Sequence, residues 1–201
     1  GVSNSLDRDT IIRRGLWVFA GVCRQGAVAL LEFDPLPPIL TLEEDEERAP
    51  RRLTCRASFS AGGFDEVCGG LELEESWRNL ITENRTAVLE GEPEGGEFPG
   101  LEPFWSQAPE GTVTLLPLQA NRRPFGALVL AEGSEPKDGS SMSREGLRAM
   151  ALQFASALEN ARLFEEVKEA YDSLQDTQNQ LVRAEKFAAV GILAAEIAHE
   201  I

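Results

Sequence analysis

The sequence predicts an α+β fold in which a central antiparallel sheet with flanking helices is followed by a long C-terminal coiled-coil helix. The clearest evidence for the sheet is a pair of apolar runs, TVTLLPL at 112–118 and FGALVLAE at 125–132. The short turn between them indicates a β-hairpin. The evidence for the helix is a helical apolar periodicity over 143–164, followed by a segment without Pro or Gly from Leu163 to Leu181.

The N-terminal third predicts one helix and two strands. Apolar residues at helical spacing indicate an amphipathic helix over 6–23, and the apolar run AVALLEF at 27–33 indicates a buried strand. Residues 35–50 contain two proline clusters and an acidic run, which predicts a loop. Residues 52–59 alternate as a strand does. This alternation predicts that one face carries Leu53, Cys55, Ala57 and Phe59.

The middle third is less regular. A helix is predicted over 71–82, with Trp77 on its inner side, and a brief strand over 86–89. Residues 91–111 are rich in Gly, Pro and Glu, so a loop is expected there.

Composition excludes several classes of function. With 19 basic and 34 acidic residues, the formal charge is −15. This charge disfavours nucleic-acid binding, because phosphates would be repelled. No apolar run approaches the roughly 20 residues of a membrane span, so no membrane contact is expected of this segment. An odd number of cysteines (Cys23, Cys55 and Cys68) without C-x-x-C pairing indicates reduced thiols in a cytoplasmic protein.

The last fifteen residues, FAAVGILAAEIAHEI, contain the only histidine of the chain. Apolar residues recur there in steps of three and four, at Phe187, Val190, Ala194, Ile197 and Ile201. At about 100° per residue, His199 lies on the side of the helix opposite this stripe. The sequence therefore predicts a histidine that faces solvent and is available for chemistry.

The sequence motif A-A-x-I-A-H-E-I at 194–201 resembles the H-box of sensor histidine kinases. The resemblance implies that His199 is the phosphoacceptor, because a neutral imidazole nitrogen is a nucleophile that can attack the γ-phosphoryl group of ATP. It also implies that Glu200 acts as a general base, which would orient the imidazole. A solvated helix charge is the alternative for Glu200.

Two further stretches resemble GAF domains. They are T-L-L-P-L-x(6)-F-G-A-L-V-L-A at 114–131 and F-A-S-A-L-E-N-A-R-L-F-E-E at 154–166. The resemblance covers about residues 6–166 and implies a sensor with an antiparallel sheet, helices on one side and a ligand-sized cavity on the other. Known GAF ligands include cyclic nucleotides, tetrapyrroles, haem and iron–sulfur clusters.

The ligand is not identifiable from the residues. No histidine lies inside the domain for haem, Cys68 is followed by Gly69 and not by the His of bilin sites, and the N-K-F-D-E wording of cyclic-nucleotide sites is absent. Three cysteines are too few for an iron–sulfur cluster, and no metal site is expected. A small organic ligand remains, in a pocket predicted to be lined by Phe33, Phe59, Phe64, Trp77 and Trp105. A ligand-free dimerisation scaffold and a cysteine-based redox sensor are the alternatives.

These observations predict three regions: a GAF-like sensor domain at 1–162, a signalling coiled coil at 163–186, and the start of the phosphoacceptor helix at 187–201. Val167, Leu174 and Leu181 recur every seven residues, which indicates a parallel homodimer. The row continues at Phe187 after six residues, and we expect this phase break to permit alternative helix rotations. The kinase resemblance implies a response-regulator receiver domain as partner, and Mg-ATP bound only by a catalytic domain outside this chain. The sequence leaves open whether the chain is itself an enzyme and whether a membrane segment precedes it.

Overall fold

The computed structural model describes residues 7–22, 27–34, 52–60, 63–65, 70–72, 74–90, 98–106, 111–121, 123–133 and 142–200. Within these ranges, the side chains at 63–65, 70–72, 189, 192–198 and 200 are not described. The chain forms two compact units, Gly1–Asn160 and Ala161–Ile201.

The first unit is built on one antiparallel sheet. Its longer strands are β1 (Ala27–Asp34), β2 (Arg52–Ser60), β5 (Ala87–Glu90), β6 (Thr112–Ala120) and β7 (Arg123–Glu132), in the spatial order β2-β1-β7-β6-β5. Two three-residue strands, β3 (Gly63–Asp65) and β4 (Gly70–Glu72), both pair with β2. The sheet confirms the predicted fold class.

Two helices cover one face of the sheet. They are α1 (Arg8–Val22) and the part of α4 (Arg144–Glu200) that lies in the first unit. Because side chains alternate along a strand, Val28 and Leu30 of β1 point to this face. They pack with Leu16 of α1 and Phe154 of α4. We call the result the α1/α4 core.

The opposite face carries a second core, which we call the aromatic core. Two short helices cover it, α2 (Glu75–Thr82) and α3 (Glu102–Trp105). Ala29, Leu31 and Phe33 supply its floor from β1. The GAF resemblance implied a ligand-sized cavity on this side, and the structure places closely packed aromatic side chains there.

A β-bulge in β2 makes the predicted common face of this strand wrong. Leu30 pairs with Ala57 and Leu31 with Cys55, so Arg56 is an additional residue in β2. An additional residue reverses which side later side chains point to. Cys55 therefore packs against the aromatic core, whereas Ala57 and Phe59 pack against the α1/α4 core.

The predicted helix over 71–82 is also corrected. Residues 70–72 form β4, and α2 begins at Glu75. The apolar spacing of Trp77, Leu80 and Ile81 determines only the last two turns, while the preceding backbone bonds to β2. The hairpin is confirmed, with a turn at Asn121, whose φ of 51° asparagine tolerates.

Candidate functional site

Three of the five predicted ligand-lining residues meet in the aromatic core. Phe33 projects from β1, Trp77 from α2 and Trp105 from α3, and all three are buried. The indole N–H of Trp77 donates to the backbone carbonyl of Pro99 at 3.2 Å. Its ring meets Phe98 edge to face, with ring centroids 5.2 Å apart. These side chains hold α2 and α3 against the sheet, so their packing is structural whether or not a ligand binds.

The other two predicted residues do not complete that set. Phe59 lies on the α1/α4 side of the sheet, so the expectation that all five aromatics line one pocket is wrong, because of the bulge at Arg56. Phe64 lies in β3 opposite Phe59, and its side chain is outside the described residues. Ligand binding by any of the five stays a prediction.

A groove opens beside the aromatic core, between α2 and the edge strand β5. It encloses about 470 Å³. One wall is the row Ser76, Asn79, Leu80 and Glu83 of α2, the other is residues 85–89, and Phe98 adjoins both. The hydroxyl oxygens of Ser76 and Thr86 are buried and have no hydrogen-bond partner among the described residues. The groove therefore offers polar groups beside apolar ones, as ligand sites do.

Neither hydroxyl was predicted as a site residue. Ser76 and Thr86 are ordinary residues in the sequence, and only the packing of α2 against β5 places both at one groove. No sequence signal identifies them.

A buried carboxylate connects α1 to the sheet on the opposite face. Glu32 of β1 is 1% exposed. Its Oε1 accepts from Arg8 of α1 at 2.7 Å, and its Oε2 accepts from Arg56 at 3.0 Å. Sequence reasoning missed this network, although a single acidic residue inside the apolar run AVALLEF was a signal for it, because buried charges are paired.

Cys55 is disulfide-bonded, which corrects the expectation of three reduced thiols. It lies in β2 opposite Leu31 and packs against the aromatic core. Cys23 and Cys68, the other two cysteines of the chain, lie outside the described residues. Spacing along the sequence did not reveal the bond, because the spacing of cysteines does not determine which of them lie close together in the fold.

The second unit contains the predicted phosphoacceptor. His199 lies in the last turn of α4 and is exposed. Glu200 ends the same helix, and its side chain is outside the described residues. Within the described part of the chain, no cluster of three or more His, Cys, Asp or Glu residues is suited to hold a metal ion.

Comparison of the sequence with protein-family models and with curated proteins finds no match. Solved structures do match. The GAF-B domain of DevS from Mycobacterium smegmatis is 16% identical with a TM-score of 0.54, over 80% of this chain and 99% of that chain. The blue-light absorbing form of the Thermosynechococcus elongatus PixJ GAF domain is 16% identical with a TM-score of 0.56, over 85% of this chain and 96% of that chain.

The fold is that of a GAF domain. A third similar structure is the far-red absorbing dark state of the protein JSC1_58120g3 with bound biliverdin IXa. It is 16% identical with a TM-score of 0.54, over 80% of this chain and 94% of that chain.

No helix in the described part of this chain combines the length and the apolar character that a membrane crossing requires.

Proposed function

We propose that the chain is the sensory and dimerisation region of a bacterial sensor histidine kinase of the two-component class. The observation that carries the proposal is the wording A-A-x-I-A-H-E-I around His199, which is exposed and ends a helix of a GAF-fold chain. In this proposal, the GAF unit receives a cytoplasmic signal, α4 transmits it, and His199 accepts the phosphoryl group.

The chemistry assigned to this chain is that of a phosphoryl acceptor. A ring nitrogen of His199 attacks the γ-phosphorus of ATP, the bond to the β,γ-bridging oxygen breaks, and ADP leaves. Glu200 takes up the imidazole proton as general base. Mg-ATP belongs to a catalytic domain outside this chain, and the phosphoryl group passes to an aspartate of a response-regulator receiver domain. Both transfers require an exposed position, because His199 must contact two different domains, the catalytic domain and the receiver domain.

The signal enters, in this proposal, as a small organic molecule at the groove between α2 and β5. The groove volume of about 470 Å³ falls within the range of known ligand pockets, about 300–1,000 Å³. Phe98 lines it and contacts Trp77, so an occupant would reach the aromatic core directly. The hydroxyls of Ser76 and Thr86, which have no hydrogen-bond partner among the described residues, would orient that occupant.

The output passes through a homodimer formed by α4. Large apolar side chains stand exposed along its second-unit portion: Phe164, Val167, Tyr171, Leu174 and Leu181. Contiguous exposed apolar surface of this kind marks an interaction site. The spacing of these residues is that of a parallel coiled coil.

The test is phosphorylation of the protein that carries this segment together with its catalytic domain. With γ-labelled Mg-ATP, we expect an alkali-stable, acid-labile phosphate on His199 that His199→Gln abolishes. Glu200→Gln should slow labelling without affecting far-UV circular dichroism. Equal labelling of the wild type and His199→Gln would overturn the assignment.

The disulfide at Cys55 favours one second candidate, a redox-responsive GAF sensor. Reduction by a dithiol supplies two electrons and two protons and releases two thiols, one of them against the aromatic core. The redox reading predicts that dithiothreitol changes His199 labelling in the wild type but not in Cys55→Ser. Equal responses of the two proteins would contradict the redox reading and leave the phosphoacceptor assignment intact.

A further inference from the structure

The second unit carries two apolar stripes on its single helix. The first has 3–4 spacing and consists of Phe164, Val167, Tyr171, Leu174 and Leu181. Between 51% and 67% of each of these residues is exposed. We call this the upstream stripe. Its alternation of three and four residues is that of positions a and d of a coiled coil, with Phe164 and Tyr171 at a and the others at d.

The second stripe begins at Phe187 and Val190, which are 78% and 62% exposed. The sequence continues it at Ala194, Ile197 and Ile201. We call this the downstream stripe. It follows Leu181 after six residues, and in the heptad of the upstream stripe its members occupy positions c and f. The two stripes therefore lie roughly 150° apart around the helix axis.

The spacing of His199 places it at an a position of the upstream stripe, although histidine is not one of the apolar residues that form either stripe. It follows Tyr171 by 28 residues and Phe164 by 35, both multiples of seven. If two helices paired through the upstream stripe along their whole length, His199 would occupy an a position between them. If they pair through the downstream stripe, His199 faces outward, because position a of a heptad lies on the side of the helix opposite positions c and f. The choice of stripe thus decides whether the imidazole is accessible.

Two polar residues occupy a positions of the upstream stripe and interrupt its apolar surface. Gln178 and Glu185 follow Tyr171 by seven and fourteen residues. In a parallel, in-register pair, the two Gln178 side chains face each other and can exchange amide hydrogen bonds. A polar residue at a single a position specifies register and strand number in this way.

Glu185 has the opposite effect in the same arrangement. Each Glu185 side chain would enter a hole formed by Leu181, Ala184 and Ala188 of the second copy, facing the second Glu185. None of the three hole-forming residues can neutralise a carboxylate. Two like charges in a largely apolar layer repel each other and lose solvation, so the upstream pairing cannot extend past Leu181 without a cost.

We propose that, in the parallel homodimer of the proposed function, Glu185 ends the upstream pairing so that His199 stays exposed. Gln178 holds the two copies in register. Beyond Glu185 the downstream stripe forms the contact and turns the imidazole outward. The regulatory meaning of this arrangement rests on the proposed phosphoacceptor role of His199.

The test compares Glu185→Leu with Glu169→Leu in the 201-residue chain. The same substitution at Glu169 falls on the outward f position, which makes it a matched control. Sedimentation equilibrium gives the dimer dissociation constant of each protein. The carbethoxy-imidazole that diethylpyrocarbonate forms reports the accessibility of a single side chain, because the chain contains one histidine. Far-UV circular dichroism verifies that the helix content is unchanged.

We expect Glu185→Leu to lower the dissociation constant about tenfold or more, because two leucine side chains leave water in place of two charges. His199 modification should slow several-fold in Glu185→Leu, while Glu169→Leu should match the wild type in both measurements. A dimeric wild type whose dissociation constant and modification rate do not respond to Glu185→Leu would overturn this inference alone. A monomeric wild type would overturn both this inference and the homodimer of the proposed function.

Discussion

Replacing Glu32 by Gln tests the buried network that joins α1 to the sheet. The carboxylate is 1% exposed and accepts from two guanidinium groups, those of Arg8 at 2.7 Å and Arg56 at 3.0 Å. Gln keeps the shape but removes the charge, and its amide NH₂ places a donor against an arginine donor. The substitution thus leaves the partly buried Arg8 without an anionic partner.

The magnitude follows from the exposure of the two arginines. A hydrogen bond to a charged group contributes about 1.5–3 kcal/mol when it is shielded from water. The Arg8 side chain is 24% exposed and keeps most of that value, whereas the Arg56 side chain is 52% exposed and regains hydration. We expect Glu32→Gln to lower the free energy of unfolding by about 2–4 kcal/mol and Arg56→Gln by about 1 kcal/mol or less. For a chain of this length, the larger loss corresponds to a Tm about 4–16 °C lower.

The assay is urea unfolding of the 201-residue chain, followed by the fluorescence of the buried Trp77 and Trp105. The free energies of unfolding should rank wild type above Arg56→Gln above Glu32→Gln. A Glu32→Gln variant within about 0.5 kcal/mol of the wild type would refute the reasoning, because surface substitutions have effects of that size. The attachment of α1 would then depend on apolar packing alone.

Three further results are expected. Gly126→Ala should unfold at a markedly lower temperature in a calorimetric scan, because φ is +145° and the new Cβ would overlap the carbonyl oxygen of Leu31. An unchanged Tm would refute the close approach of β1 and β7. Trp77→Ala should lower the free energy of unfolding by about 3–5 kcal/mol in urea, since the ring is fully buried, and a loss below about 1 kcal/mol would show that Trp77 is not a core residue. Under the proposed function, inserting one alanine after Glu185 should restore the seven-residue step and fix the output of the kinase that carries this segment. An unchanged signal response would contradict the phase-break hypothesis.

The sequence predicts the hairpin of β6 and β7 and the helix α4 well, because their signals are local. Alternating apolar residues on either side of a short turn allow few other structures, and an unbroken helical pattern allows few others. The same reasoning placed Trp77 on the inner side of α2, where the structure has it. Local periodicity is sufficient to predict an element and its buried side where that element packs through a single face.

Features that depend on strand pairing were not predictable in the same way. The bulge at Arg56 is a property of β2 and β1 together, and it moves Phe59 away from Phe33 and Trp105. The strand at 70–72 exists through its bonds to β2. The disulfide of Cys55 likewise depends on which segments adjoin. Paired strands are separated in sequence, so no short segment of the chain contains enough information to predict their pairing.

The residues of the candidate site likewise differ in whether a local sequence signal identifies them. The exposure of His199 does not test the helical phase of the last fifteen residues, because Phe187 and Val190 of the predicted apolar stripe are exposed as well. The groove hydroxyls of Ser76 and Thr86 come from two elements and carry no local signal. Glu32 does carry a local sequence signal, because an isolated acidic residue in an apolar strand requires a charged partner.

The proposed signal transmission to His199 depends on the pairing of two chains through α4. The most direct measurement of it is native mass spectrometry of the 201-residue chain, compared with its denatured mass. We predict a species at twice the 22.0 kDa chain mass, with any stoichiometric excess mass reporting a bound small molecule. A species at the single-chain mass at all concentrations tested would contradict the account.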